Sequence, residues 1–247
     1  MLSMLLLSAA ALAHKPSFDD GIYTSPDTAF RIDDIDISIV LYSEITCDDP
    51  ELWMTFTGEA GQELYVQVGV PVIDRLEDYR PSVAVLGQGM PAIDLPFETP
   101  EGLGGYRFDS DDIEVPGEFY EAFTQTESWI VTEETLTLNN DGVGYLVGWN
   151  PEAYTGKMWI AVGTVENFDD VDFSVFGEWL TEVQTYHEVD DGDYDDLMER
   201  DCAAEAAAEA ADPVRGCATP VTPAGWLALV GLFAVRRRSR SGSQRPV

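Results

Sequence analysis

The sequence predicts an all-β protein: an antiparallel two-sheet sandwich of jelly-roll-like order, followed by a short C-terminal helix, an acidic tether and a terminal hydrophobic helix. Three observations predict it. Between residues 14 and 187 short apolar runs alternate with polar residues at a period of two, as in a strand with one face on a core. Turn signals rich in Gly, Pro, Asn and Asp punctuate those runs. After residue 187 the composition turns to acid and alanine, and then to an apolar stretch closed by arginines.

Residues 1–13, MLSMLLLSAAALA, are apolar and small and end in the small-x-small pattern Ala11-Leu12-Ala13. They are read as a signal peptide cleaved between Ala13 and His14, which sends the chain through the export machinery. The stretch from His14 to Cys217 holds all 46 acids and only eight basic residues, a net of −38 (8 minus 46). Such a surface repels polyanions, so nucleic acid and anionic lipid headgroups are excluded as partners.

In the domain at 14–187, the run ELYVQVGV sets Leu64, Val66, Val68 and Val70 on one face. Similar runs are IDISIVLY, LWMTFTG, SVAVLG, SWIVTEETLTL, GYLVGW and KMWIAVGTV, separated by turns such as GEAGQ, NNDGVG and NPEAYTG. About eight strands result. FSVFGEWLTEVQTYH places Phe176, Trp179, Leu180 and Val183 at helical spacing, so a closing helix is expected there. Two stretches, FTGEAGQELYVQVGVP and NNDGVGYLVGWNPEAYTGKMWIAVG, resemble bacterial pre-peptidase C-terminal type sandwiches. In those a G-x-x-G turn opens one strand, and a D-G-x-x-Y-x-L strand pairs with a following T-G-x-x-x-x-x-V-G strand. The resemblance implies the fold and leaves the activity open.

Residues 188–216 are almost wholly acid and alanine, too poor in apolar surface to offset chain entropy, and read as an acidic Ala-rich linker. An EF-hand alignment beginning at Asp191 puts Asp196 where Gly is required and Cys202 where the bidentate Glu belongs, so that motif is rejected.

Beyond Cys217 come Pro220 and Pro223, a twelve-residue stretch without polar side chains from Ala224 to Val235, and then Arg236, Arg237, Arg238 and Arg240. Twelve helical residues span about 18 Å, short of a bilayer core of about 30 Å. Trp226 suits the headgroup interface, and the arginines stay in the cytoplasm under the positive-inside rule. The order cysteine, apolar helix and arginine block over 217–240 resembles the MYXO-CTERM class of C-terminal sorting signals. That resemblance implies a sorting machinery as partner, a membrane protease that removes the tail, and Cys217 as the anchored, lipid-modified residue; residues 241–247 are the cytoplasmic tail. The rival readings are a permanent single-pass anchor and a buried helix.

With Cys217 assigned to the anchor, Cys47 and Cys202 are left to pair as a disulfide in an oxidising compartment. The rival pairing joins Cys202 to Cys217.

Candidate chemistry is sparse. There is no G-x-S-x-G elbow, and HEVDD at His187 lacks the second histidine of a zincin helix. A Ser-His-Asp arrangement would have to use His187, since the chain has two histidines and His14 becomes the terminus. A free His14 amine and imidazole with His187 would offer three nitrogens to copper. Asp109 and Asp111 stand on one side of an extended loop, where oxygen ligands suit calcium; a solvated acidic turn is the plainer reading. Phe119, Tyr120, Phe123 and Trp129 group aromatics that either stack on a sugar or peptide or fill a core.

The reading that results is an exported, surface-anchored sandwich without catalysis, serving adhesion, envelope organisation or display of a site for an extracellular glycan or protein. Its rivals are a copper- or carboxylate-dependent enzyme and a calcium-stabilised module.

Overall fold

The computed structural model describes residues 14–169, 171–189 and 200–211. The chain divides into two compact units, Met1–Ala208 and Glu209–Val247, and of the second only the first three residues are described. The signal segment with Ala13, and the sorting segment with Cys217, Trp226, Arg236, Arg237 and Arg238, lie outside the described residues. Among the described residues no helix is long and apolar enough to cross a membrane.

Eleven strands form among the described residues: β1 (Lys15–Phe18), β2 (Phe30–Arg31), β3 (Ile39–Ile45), β4 (Glu51–Gly58), β5 (Glu63–Pro71), β6 (Ser82–Gly87), β7 (Gly104–Phe108), β8 (Gly117–Glu121), β9 (Thr126–Thr137), β10 (Gly142–Trp149) and β11 (Gly156–Val162). Two helices follow, α1 (Phe176–Tyr186) and α2 (Cys202–Ala211). A six-stranded sheet has the order β1-β3-β11-β5-β9-β8 and a five-stranded sheet the order β2-β4-β10-β6-β7. Successive strands from β3 to β6, and again from β9 to β11, cross from one sheet to the other. The central strands thus interleave as β3-β11-β5-β9 against β4-β10-β6-β7, which is a jelly roll.

Three expectations are corrected. The strands among the described residues number eleven rather than about eight: the quoted runs form β3–β6 and β9–β11, and β1, β2, β7 and β8 are additional, with β1 and β2 as short edges parallel to β3 and β4 in an otherwise antiparallel fold. The D-G-x-x-Y-x-L strand does not pair with the T-G strand that follows it. Here β10 lies between β4 and β6, and β11 between β3 and β5. Each strand already has two neighbours, and the link 150–155 carries the chain across the roughly 10 Å between layers instead of folding it back. Asn150 Oδ1 holds that crossing by accepting from Glu152 N at 2.8 Å.

The third correction concerns faces. β6 and β11 are buried along their whole length, so the alternation expected of a strand with one wet face is lost in the centre of both sheets. The interior between the sheets is lined by Leu41, Met54, Leu64, Val66, Val68, Val85, Leu146 and Ile160. Each sheet also carries an apolar cluster on its outer face, and something covers each one.

The linker expected to begin at Glu188 keeps its start on the domain. Glu188 accepts from Arg75 Nη1 at 2.7 Å and Nη2 at 2.5 Å, and from Lys157 Nζ at 2.8 Å. Its side chain is 7% exposed and that of Lys157 8%. Arg75 and Lys157 hold the Glu188 carboxyl below the ordinary glutamate range against the opposing effect of burial. The chain returns at Arg200, whose carbonyl accepts from Thr155 N at 3.0 Å, and Cys202 joins Cys47 in a disulfide with Cα atoms 5.3 Å apart. Cys202 is thereby committed, and the rival pairing with Cys217 drops out.

Candidate ligand cavity

The outer face of the six-stranded sheet is built by alternation. On β3, Leu41 points inward while Val40 and Tyr42 point outward; on β11, Met158, Ile160 and Val162 point inward while Trp159 and Ala161 point outward. A bulge in the pairing of β5 with β9 at Val68/Gly69 sends Ile130 to the outer cluster while Trp129 and Val131 stay on the inner one. Gly69 is the residue this face cannot change. A Cβ there would stand 2.1 Å from Trp159 Cζ2, so the indole lies directly over the bare backbone.

Helix α1 covers this face but touches down at one end. Val183 is its only buried residue. The Tyr186 hydroxyl reaches the carbonyls of Ser43 at 2.8 Å and Met158 at 2.7 Å, and Gln184 Nε2 donates to Thr124 O at 2.9 Å. The first turns of the helix carry Phe176 and Trp179, half-buried, which line the cavity from the helix side. Between them and the sheet lies a cavity of about 140 Å³. Rings from the sheet (Tyr42, Phe119, Trp159) face rings from the helix side (Phe176, Trp179), and Phe123 closes the β8–β9 turn. Phe176 is gripped in turn by Phe123 and Phe168, each with ring centroids at 5.9 Å.

The polar lining is largely satisfied within the protein. His187 Nδ1 lies 2.8 Å from Val183 O, which makes it the N–H, so Nε2 is the acceptor for the Ser128 hydroxyl at 3.1 Å. Ser128 Oγ accepts in turn from Trp159 Nε1 at 3.1 Å. Thr124 and Thr126 bond each other at 2.8 Å, and His14 Nδ1 bonds Ser38 Oγ at 2.6 Å. Burial lowers both imidazoles to about 4; the charge of Lys157 adds to the effect at His187, and Glu166 opposes it at His14. Both are neutral at neutral pH. Glu121, half-buried at the end of β8, accepts from Phe123 N at 2.9 Å. Burial, reinforced by the charge of Glu166, raises its carboxyl above the ordinary range.

The fold brings His14 and His187, 173 positions apart, to one cavity. Both ring nitrogens of His187 are engaged in hydrogen bonds, and His14 Nδ1 bonds Ser38. Among the described residues no three His, Cys, Asp or Glu side chains gather as a metal shell. Of the two carboxylates expected to suit calcium, Asp109 accepts through Oδ1 from Arg107 Nε at 2.6 Å and Ser82 Oγ at 2.7 Å. Asp111 is exposed. The aromatic group expected as one surface is split by the strand: Phe119 faces the cavity, Tyr120 is 58% exposed and Trp129 packs on the interior. Sequence reasoning missed Glu121, Ser128 and Trp159. The spacing Phe119, Glu121, Phe123 at a period of two was the available signal for the first of them.

No protein-family model matches the chain, and no curated protein sequence matches it significantly. Among solved structures it is similar to the pre-peptidase C-terminal domain of a collagenase from Bacillus anthracis, with 12% identity over 55% of this chain and 95% of that one, at a TM-score of 0.28. It is also similar to CorA, a surface-associated copper-binding protein important in copper acquisition by Methylomicrobium album BG8, with 10% identity over 62% of this chain and 99% of that one, at a TM-score of 0.26. At such identities and TM-scores neither likeness carries a ligand or an activity to this chain.

Proposed function

We propose that this protein is an exported, surface-held β-sandwich that binds a small, largely apolar ligand between α1 and the six-stranded sheet, without catalysis. The observation that carries the reading is the cavity. A void of about 140 Å³ walled by rings, with its hydroxyls and imidazoles already paired, is a preformed apolar site with few polar groups.

Export is supported by the Cys47–Cys202 disulfide, which persists in an oxidising compartment, by the acid-rich body and by the apolar segment 1–13. Anchoring rests on the 217–240 segment and its resemblance to sorting signals, with Cys217 as the retained residue. Ligand capture or adhesion at the envelope is the role that follows. The Ser128–His187 pair speaks against acyl-transfer chemistry. An imidazole lowered to about 4 is a poor base at neutral pH, its Nδ1 faces a carbonyl instead of a carboxylate, and Ser128 already receives an indole N–H.

Two measurements test the reading. Surface proteolysis of intact cells with mass spectrometry should release a chain that begins at His14; an intact cytosolic polypeptide overturns export. Benzene, a single-ring probe, should raise the Tm of the full chain in a dose-dependent way. An unchanged Tm at saturating benzene removes the cavity as a site.

A further inference from the structure

Resting on that ligand-binding reading, we propose that the cavity takes a small organic cation of the quaternary-ammonium class, a trimethylammonium group set among the rings beside Glu121. The first observation is the placement of the rings. Tyr42, Phe119 and Trp159 present from the sheet and Phe176 and Trp179 from the helix, so a ligand in the cavity meets aromatic groups on two opposed walls. Ring faces attract cations, most strongly where water is excluded.

The second observation is the charge of the lining. It includes one carboxylate, Glu121, and no lysine or arginine. Glu166 acts electrostatically on both Glu121 and His14. Lys157, which acts on His187 from outside the lining, is ion-paired with Glu188, a carboxylate that it shares with Arg75. The whole chain, at −33, concentrates cations around it.

The third observation decides between kinds of cation. A primary ammonium or guanidinium brings three to five N–H donors, each of which needs an acceptor once buried. Here Ser128, His187, Thr124, Thr126 and His14 Nδ1 already take part in hydrogen bonds within the protein, so an N–H cation would have to share the spare lone pairs of those hydroxyls or crowd its donors onto the Glu121 carboxylate. A quaternary ammonium has no N–H to satisfy, and its methyl groups suit an apolar wall. The size agrees: about 140 Å³ is close to the ~150 Å³ of an engineered apolar cavity that admits benzene, enough for one compact head group.

The test compares choline chloride with 3,3-dimethylbutan-1-ol, its neutral isostere, and with ethanolamine, by calorimetry and tryptophan fluorescence on the full chain in about 0.15 M salt, where long-range attraction is screened. Choline should bind about tenfold more tightly than the neutral isostere, and ethanolamine more weakly than choline. Glu121→Gln should abolish the preference for choline while the neutral isostere still binds. Glu134→Gln, the same charge change on exposed β9, should keep the preference. Equal affinity for choline and its isostere overturns the cation and leaves the ligand-binding reading standing. Binding of neither compound overturns the cation, and it overturns the ligand-binding reading as well where benzene also leaves the Tm unchanged.

Discussion

The two outer faces of this sandwich are covered in different ways, and the difference explains where a site can exist. On the five-stranded sheet, Trp53, Ala84, Leu86, Val147 and Trp149 are covered by Ile93, Leu95, Phe97 and Leu103 from the irregular segment between β6 and β7. Phe97 sits edge-on to both tryptophans, with ring centroids at 5.4 and 5.2 Å, and Arg107 lies 5.3 Å from the Trp149 ring. A chain without regular structure can send each side chain into the gap nearest to it. On the six-stranded sheet the cover is the helix α1. It is pinned at the end that carries Val183, Tyr186 and His187, and the other end lines the cavity with large rings. An irregular cover seals the face, whereas the rigid one leaves a room.

The comparison is broken most directly by truncating a ring on the sealed face. Trp53→Ala, at a side chain 1% exposed, should cost about 3–5 kcal/mol in denaturant unfolding. A loss below about 1 kcal/mol would mean that the covering segment is not packed as described.

Acid should act through the helix-covered face. His187, ordinarily titrating near 6.5, is lowered to about 4 chiefly by burial. Its neutral form is therefore the one the fold accepts. The stability tied to it is fully present above pH 6.5, falls as the pH drops below that value and is lost by about pH 4, an effect of up to about 3 kcal/mol. His14 is lowered in the same way by burial. Urea midpoints of His187→Gln and the native chain should converge as the pH falls from 7 to 4.5; a constant gap would place the imidazole in water.

Gly69→Ala should cost about 1–3 kcal/mol, since the new methyl collides with Trp159 and the indole can escape only into the cavity. Tryptophan fluorescence should shift and benzene binding should disappear. Retained binding would show that Trp159 does not wall the room. The smallest effect is expected at Trp179→Ala, where the ring borders empty space: below about 1 kcal/mol in stability, yet a loss of ligand affinity. A cost as large as that at Trp53 would make the two covers equivalent.

Much of this was legible in the chain. Val66, Val68 and Val70 announced a strand by alternation, and Phe176, Trp179, Leu180 and Val183 announced a helix by spacing, because both periodicities are local consequences of backbone geometry. Cys47 and Cys202 were the pair left once Cys217 had another role, and the fold joins them. The candidate site was legible only in fragments. Phe119 was noticed as an aromatic and His187 as a rare histidine, but nothing local connects them to Trp159 or Ser128. Glu188 read as tether because its neighbours are acids; Arg75, which holds it, lies 113 positions away.

By itself the sequence determined the type of the central strands and of α1, the acid-rich surface and the residues available to a disulfide, since these follow from composition and from spacing within a few positions. Tertiary structure alone decided that β10 and β11 stand in opposite sheets, that both outer faces are covered, and that a helix anchored at one end leaves an aromatic room beside Glu121. The physical reason is that a cavity is a property of how rigid surfaces fail to meet, and its walls come from segments that share no local pattern.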